Sequence, residues 1–191
     1  MKIKNQNIIR IIPRLDIKNG LLIKGINLEG LRILGNPYSY ANKYYNDGAD
    51  EIFYIDNVAS LYGTNNLSEF ITLTAKNISI PFTVGGGIKS ISDIDRTLRN
   101  GADKVSMNTA ILNDISLLKK SSKVFGSSTI SSNVEVIKIN KKYYISSSNG
   151  RDLHEIDVLD WVRKIEDNGV GEIIITSNFL KFSLSDRTDV L

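Results

Sequence analysis

Polar residues close a series of short apolar runs in this chain: Asp16 after Ile11–Leu15, Asp56 after Ile52–Ile55, Asn108-Thr109 after Val105–Met107, and Thr176-Ser177 after Ile173–Ile175. Any one of them is also an ordinary turn former or helix cap. Taken together they describe a ring of polar groups above an apolar floor. Carboxylates in such a ring suit proton transfer, because one donates a proton while another accepts one. Between them lies Val84-Gly85-Gly86-Gly87-Ile88. Glycines after a strand and before a helix bare their backbone amides to an anion, so Gly86 and Gly87 read as a phosphate cradle; a flexible turn is the alternative. Asn108 and Thr109 would stand beside that loop and donate to the same phosphate.

What the chain lacks narrows the chemistry further. It has no cysteine and a single histidine, His154. Thiolate metal sites, disulfides, cysteine nucleophiles and histidine-rich zinc sites are therefore excluded. His154 reads as a surface residue just ahead of a helix.

Those residues need elements to hold them. Strands are expected at Ile8–Leu15, Glu51–Asp56, Pro81–Val84, Lys104–Met107, Ser127–Ile139 with a hairpin arm at Tyr143–Ser148, and Glu172–Ser177. Helices are expected at Asn36–Asn46, Leu67–Asn77, Ser92–Asn100, Asp114–Ser122 and Glu155–Asn168, and a glycine-rich insert follows the first strand. Strand and helix alternate, the pattern of repeated βα units around a parallel sheet. An internal repeat agrees: Gly48-Ala49-Asp50-Glu51-Ile52 recurs as Gly101-Ala102-Asp103-Lys104-Val105 and more weakly as Gly169-Val170-Gly171-Glu172-Ile173. Each copy sits where a helix ends in left-handed glycine and a strand begins at the lower rim of a barrel.

The expected class is thus α/β, a parallel (β/α) barrel of TIM type with about six of eight strand-helix units. The 191 residues, 41% hydrophobic, suit one domain (1–191). The net charge of +3 is spread over isolated pairs such as Lys119-Lys120 and Lys141-Lys142, which argues for a solvated surface rather than a nucleic-acid patch. No apolar run approaches the roughly 18 residues of a membrane span, and a soluble cytoplasmic protein is expected.

Ile11-Ile12-Pro13-Arg14-Leu15-Asp16-Ile17-Lys18-Asn19-Gly20, followed by Ile23-Lys24-Gly25-Ile26-Asn27-Leu28-Glu29-Gly30-Leu31-Arg32, closely resembles the opening of imidazole glycerol phosphate synthase cyclase subunits. Gly48–Ser60, Pro81–Ile88, Gly101–Ala110 and Gly171–Ser177 continue the resemblance in the same order. It implies that Asp16 is a general acid or base, and that Lys24 lies on a loop closing over substrate. Gly86, Gly87, Asn108 and Thr109 would hold one phosphate of a doubly phosphorylated substrate, with Asp56 and Thr176 elsewhere in the pocket. The implied reaction takes ammonia from a partner glutaminase, in a heterodimer. It converts a phosphoribulosyl-formimino aminoimidazole carboxamide ribotide to imidazole glycerol phosphate and aminoimidazole carboxamide ribotide, without cofactor or metal. Arg10, Glu51, Lys104 and Glu172 match a ring of four charges at the lower mouth, where ammonia enters; on pattern alone they are equally a surface salt-bridge network.

The chain also departs from that family. The second catalytic aspartate falls on Glu135, which keeps the charge but adds a methylene, and a misplacement of about 1 Å can cost on the order of a hundredfold in rate. The strand before it, Ser127–Asn133, is unusually polar for a buried barrel strand. Arg14 is a large charge in an otherwise apolar first strand. Residues 178–191 read as a divergent tail in place of an acidic loop and two further strand-helix units. Completion of the barrel by self-association or another chain, a stable partial fold and a poorly folding product are all open. Two other functions stay open with the cyclase: an amidotransferase subunit delivering ammonia to a nucleotide sugar for surface polysaccharide, and a non-catalytic scaffold that binds the glutaminase.

Overall fold

The computed structural model describes residues 9–26, 30–57, 67–148 and 150–177, with the side chains of residues 26, 30 and 31 outside that description. The divergent tail expected at 178–191, and the parts of the resembling motifs at 27–29 and 58–60, lie outside the described residues. Six parallel strands carry the architecture: β1 (Arg14–Lys18), β4 (Ile52–Asp56), β5 (Phe82–Gly85), β6 (Lys104–Met107), β7 (Ile130–Ile139) and β10 (Glu172–Ser177). They are neighbours in that order, each parallel to the next. Helices α1 (Pro37–Asn46), α2 (Ser68–Ala75), α3 (Ile91–Arg99), α4 (Thr109–Asn113), α5 (Ser116–Phe125) and α6 (Val158–Asp167) fill the crossovers. This is an incomplete barrel of TIM type, and among the described residues no backbone ladder joins β10 to β1.

Two antiparallel additions extend the parallel strands. The glycine-rich insert folds as β2 (Leu21–Ile26) and β3 (Gly30–Gly35), attached to β1. Beyond the barrel strand, β7 runs on into β8 (Lys142–Ser147), which pairs with β9 (Asp152–Asp157).

Alternation along each strand sorts the side chains into two layers. Leu15, Ile17, Ile52, Tyr54, Phe82 and Val84 face outward into one apolar cluster with Ala41, Leu67 and Ile71 of the helix layer. Val105, Met107, Ile130, Val134 and Val136 face a second cluster with Ile94, Leu118, Trp161 and Ile165. The residues between them, among them Arg14, Asp16, Glu51, Thr83, Lys104, Ser106, Asn133, Glu135 and Thr176, therefore fall on the inner face. This explains the polar fifth strand. Its outer positions Ile130, Val134 and Val136 are apolar, with Ser132 between them buried and its Oγ without a partner among the described residues, while the inner Ser131 and Asn133 are hydrogen-bonded: Ser131 Oγ donates to Val105 O at 3.1 Å and Asn133 Oδ1 accepts from Thr176 at 2.7 Å.

The repeated glycines behave as their spacing implies. Gly48, Gly101 and Gly169 all have positive φ, of 90°, 110° and 89°, and each follows a helix and precedes a strand.

Several boundaries differ from expectation. The first strand begins at Arg14 rather than Ile8, because Pro13 has no N–H to return. Pro13 only accepts, from Phe53 N at 3.0 Å, while Ile11 accepts from Asp50 N at 3.0 Å and donates its own N–H to the Asp50 carboxylate, a side chain rather than a strand neighbour, at 2.7 Å. The helix expected from Asp114 starts earlier, as α4, and restarts as α5. Asp114 is extended (φ −143°, ψ 96°), and its carboxylate takes the N–H and Oγ of Ser116. The helix expected from Glu155 begins at Val158, where Asp157 caps it by accepting from Leu159 N at 2.8 Å. His154 consequently sits on β9, half-buried, its Nε2 2.9 Å from Ser147 Oγ.

Candidate active site at the carboxyl ends of the strands

A cavity of about 200 Å³ opens at the carboxyl ends of β4, β5, β6 and β7. Asp56, Gly86, Gly87, Asn108, Thr109 and Glu135, six of the residues singled out from sequence, line it together. Gly86 is fixed there by its backbone (φ 94°) and by a close neighbour, since a Cβ would stand 2.3 Å from Asp56 O. Its glycine is thus required by the crossing of two chain segments as well as by any ligand. Asn108 precedes α4, and its Nδ2 donates to Glu135 Oε1 at 2.9 Å. The second Glu135 oxygen accepts from Gly150 N at 2.9 Å, so both oxygens of a carboxylate only 7% exposed are hydrogen-bonded.

The wall made by β1 differs from expectation in its leading residue. Arg14 lines the cavity, whereas Asp16 is not among its lining residues. They are two apart on one strand and so share the inner face. Arg14 Nε and Nη2 each approach Asp16 Oδ1 at 2.9 Å, and Arg14 Nη1 donates to Thr176 Oγ1 at 2.8 Å. Thr176 Oγ1 in turn donates a hydrogen bond to Asn133 Oδ1, so a polar bridge crosses from β1 through β10 to β7. Lys24 is exposed on β2 and does not reach the cavity.

Polar residues not singled out as site candidates also line it, among them Asn57, Lys89, Ser106, Asn113, Asn133 and Ser148. Asn57 Oδ1 and Ser106 Oγ are buried without a hydrogen-bond partner among the described residues. Buried polar atoms left in that state cost stability unless a ligand or water meets them. Period-two alternation from Lys104 would have found Ser106, and from Glu135 would have found Asn133. Asn57 and Ser148 carry no such signal.

At the opposite ends of the strands, Arg10, Glu51, Lys104 and Glu172 form a closed ring of alternating sign. Arg10 bridges Glu51 Oε2 at 3.0 Å and Glu172 Oε1 at 2.5 Å; Lys104 bridges Glu51 at 3.0 Å and Glu172 at 2.8 Å. Glu51, 2% exposed, also accepts from Thr83 Oγ1 at 2.6 Å. Burial works to raise the Glu172 carboxyl, but hydrogen bonds from Lys104 and Arg10 outweigh it and hold the group below its ordinary value. For Lys104 burial works downward, and the bonds to Glu172 and Glu51 prevail and raise it. Hydrogen bonding to Glu172 raises Arg10 as well.

Among the described residues, no group of three or more His, Cys, Asp or Glu side chains is placed to hold a metal ion, and no helix is long and apolar enough to cross a membrane.

Comparison with known proteins bears on the whole of this arrangement. Imidazole glycerol phosphate synthase subunit HisF of Legionella pneumophila is 49% identical over 170 residues, covering 88% of this chain and 80% of the relative. The proteins of that name from Prochlorococcus marinus (strain AS9601) and Sulfurisphaera tokodaii are 42% and 40% identical, each over 88% of this chain and over 67% and 68% of their own lengths. Residues 10–178 match the family model described as histidine biosynthesis protein. That span takes in the ring of charges, the cavity and every parallel strand, and the chain belongs to the histidine biosynthesis protein family.

Proposed function

We infer that the cyclase reaction of imidazole glycerol phosphate synthase is carried out in the cavity at the carboxyl ends of the strands. The chain is a cyclase of that synthase, by its 40–49% identity to the HisF subunits. The finer reading is that it uses ammonia to convert phosphoribulosyl-formimino aminoimidazole carboxamide ribotide to imidazole glycerol phosphate and aminoimidazole carboxamide ribotide. Asp16 and Glu135 are the proposed proton-transfer pair. Gly86, Gly87, Asn108 and Thr109 are the proposed seat of one substrate phosphate, with Asp56 lining the same cavity, Thr176 hydrogen-bonded to its lining residues Arg14 and Asn133, and Lys24 on the β2–β3 strand pair.

The observation that carries this reading is the joint lining of one cavity by the glycine loop, Asn108-Thr109 and Glu135, with Asp16 tied to the same wall through Arg14. An anion on the loop would lie beside amide and hydroxyl donors, and a carboxylate stands on the neighbouring strand. Such a group needs only orientation and a second proton carrier to act.

The relatives are named as subunits, and a glutaminase is the proposed partner of this chain as well. Its proposed contact is the face bearing Arg10, Glu51, Lys104 and Glu172, with the ring admitting ammonia. Two features support that placement. The ring lies at the end of the inner face opposite the cavity, and its members are drawn from four separate strand starts.

The test is a cyclisation assay with added ammonium salt and no glutaminase. Turnover is expected, and Asp16→Asn is expected to lower it by about 10²- to 10⁴-fold, the range of general acid-base contributions. Absence of turnover at any enzyme concentration would count against the cyclase reading of this chain.

A further inference from the structure

We propose that Arg14 is a positioning residue for the cyclase reaction, orienting the Asp16 carboxylate on β1 from its own place in the cavity wall while braced through Thr176 and Asn133 against β10 and β7. The proposal rests on the reading of Asp16 as a proton-transfer residue.

The geometry fixes one carboxylate oxygen and leaves the other open. Both Arg14 Nε and Nη2 lie 2.9 Å from Asp16 Oδ1. Among the described residues Oδ2 has no hydrogen-bond partner. A carboxylate on a short side chain has two torsions to lose, and a guanidinium against one oxygen removes that freedom while presenting the second oxygen in a set direction. Arg14 would otherwise swing on its own longer side chain. It does not, because Nη1 donates to Thr176 Oγ1 at 2.8 Å and Thr176 in turn donates to Asn133 Oδ1 at 2.7 Å. The donors run in one direction along this chain, so each bond polarises the next.

Burial points the same way. The Arg14 side chain is 27% exposed and that of Asp16 35%, on the inner face of a barrel where an apolar residue would pack without desolvating a charge. A lysine could not replace this arrangement, having one compact charge and no planar fork to meet Asp16 and Thr176 at once. The bridge also reaches the other proposed carboxylate. Asn133 stands two residues before Glu135 on the same face of β7, so Arg14 sets one wall of the cavity relative to the other.

The experiment is steady-state kinetics with ammonium salt on the full chain, reading kcat and KM separately for Asp16→Asn, Arg14→Ala, Arg14→Lys and Thr176→Val, with folding followed by circular dichroism. Arg14→Ala is expected to lower kcat about 10- to 100-fold with KM within about twofold of the parent, and low concentrations of guanidinium ion are expected to restore part of the loss. Arg14→Lys should fall between, and Thr176→Val should lower kcat by a smaller factor. A raised KM with unchanged kcat in Arg14→Ala would assign Arg14 to substrate binding and overturn the proposal. So would unchanged kinetics in Arg14→Ala while Asp16→Asn is inactive. Full turnover in Asp16→Asn would remove the reading of Asp16, and this proposal with it. If Arg14→Ala does not fold, unchanged kcat in both Arg14→Lys and Thr176→Val overturns the proposal.

Discussion

The two ends of the barrel interior are both rich in charge, but they are satisfied in opposite ways. At the lower end each of Arg10, Glu51, Lys104 and Glu172 meets two oppositely charged partners, and the buried carboxylate of Glu51 has a hydroxyl as well. At the upper end Asp16 has one charged partner among the described residues, Glu135 accepts from Asn108 Nδ2 and Gly150 N, and Asn57 Oδ1 and Ser106 Oγ have no partner among the described residues. Closed charge networks hold a fold together and respond to pH. Open polar surfaces in a concave site wait for a ligand. The same inner-face alternation produces both, so the difference lies in how far each side chain reaches toward its neighbours.

The comparison can be broken most severely at Gly86. Replacing it with alanine puts a Cβ against Asp56 O in a backbone with positive φ, and a loss of about 2 kcal/mol or more in stability is expected. Denaturant unfolding would read it, and loss of the loop shape should weaken inorganic phosphate binding at the same time. Unchanged stability would mean that the loop can move away from β4.

A smaller effect is expected at Asn108. Asn108→Ala removes the donor to Glu135 Oε1 while Gly150 N remains, so a loss of about 1 kcal/mol in stability is expected, with a larger loss in turnover. Equal losses in Asn108→Ala and Glu135→Gln would show that the pair acts as one unit; additive losses in the double variant would separate them.

The lower ring should give the smallest effect at neutral pH and the clearest pH signature. Glu172 is held below its ordinary carboxyl value of 4.5. Its contribution to stability is therefore present above about that pH and is lost as pH falls through the folded-state value. Glu172→Gln should be less stable than the parent near neutrality, and the gap should close on acidification, as thermal melts between about pH 3 and 7 would show. Lys104, held above 10.5, gives the converse: its contribution is present below that pH and is lost at more alkaline pH. A gap that does not change with pH would mean that the ring contributes by packing alone.

Much of the fold was legible because its signals are local. Left-handed glycines at 48, 101 and 169, the apolar runs at Lys104–Met107 and Glu172–Ser177, and the capping at Asn36 are each set by a few neighbouring residues. The extra strand β9 was not, since Asp152–Asp157 has alternating exposure but only one apolar pair, and pairing with β8 decides its state.

The site divides along the same line. Sequence alone determined which residue types close the parallel strands: Asp56, Gly86, Gly87, Asn108, Thr109 and Glu135 were named from it, and the cavity brings them together. Arg14 and the serines and asparagine of the fifth strand read in isolation as misplaced polarity. Tertiary structure decided that they share the inner face, and that Arg14 meets Asp16 on its own strand and Thr176 on β10. The physical reason is separation along the chain. A residue's neighbours at two or four positions are fixed by strand or helix period, whereas a partner 162 positions away is set only when the sheet curves and brings β10 toward β1.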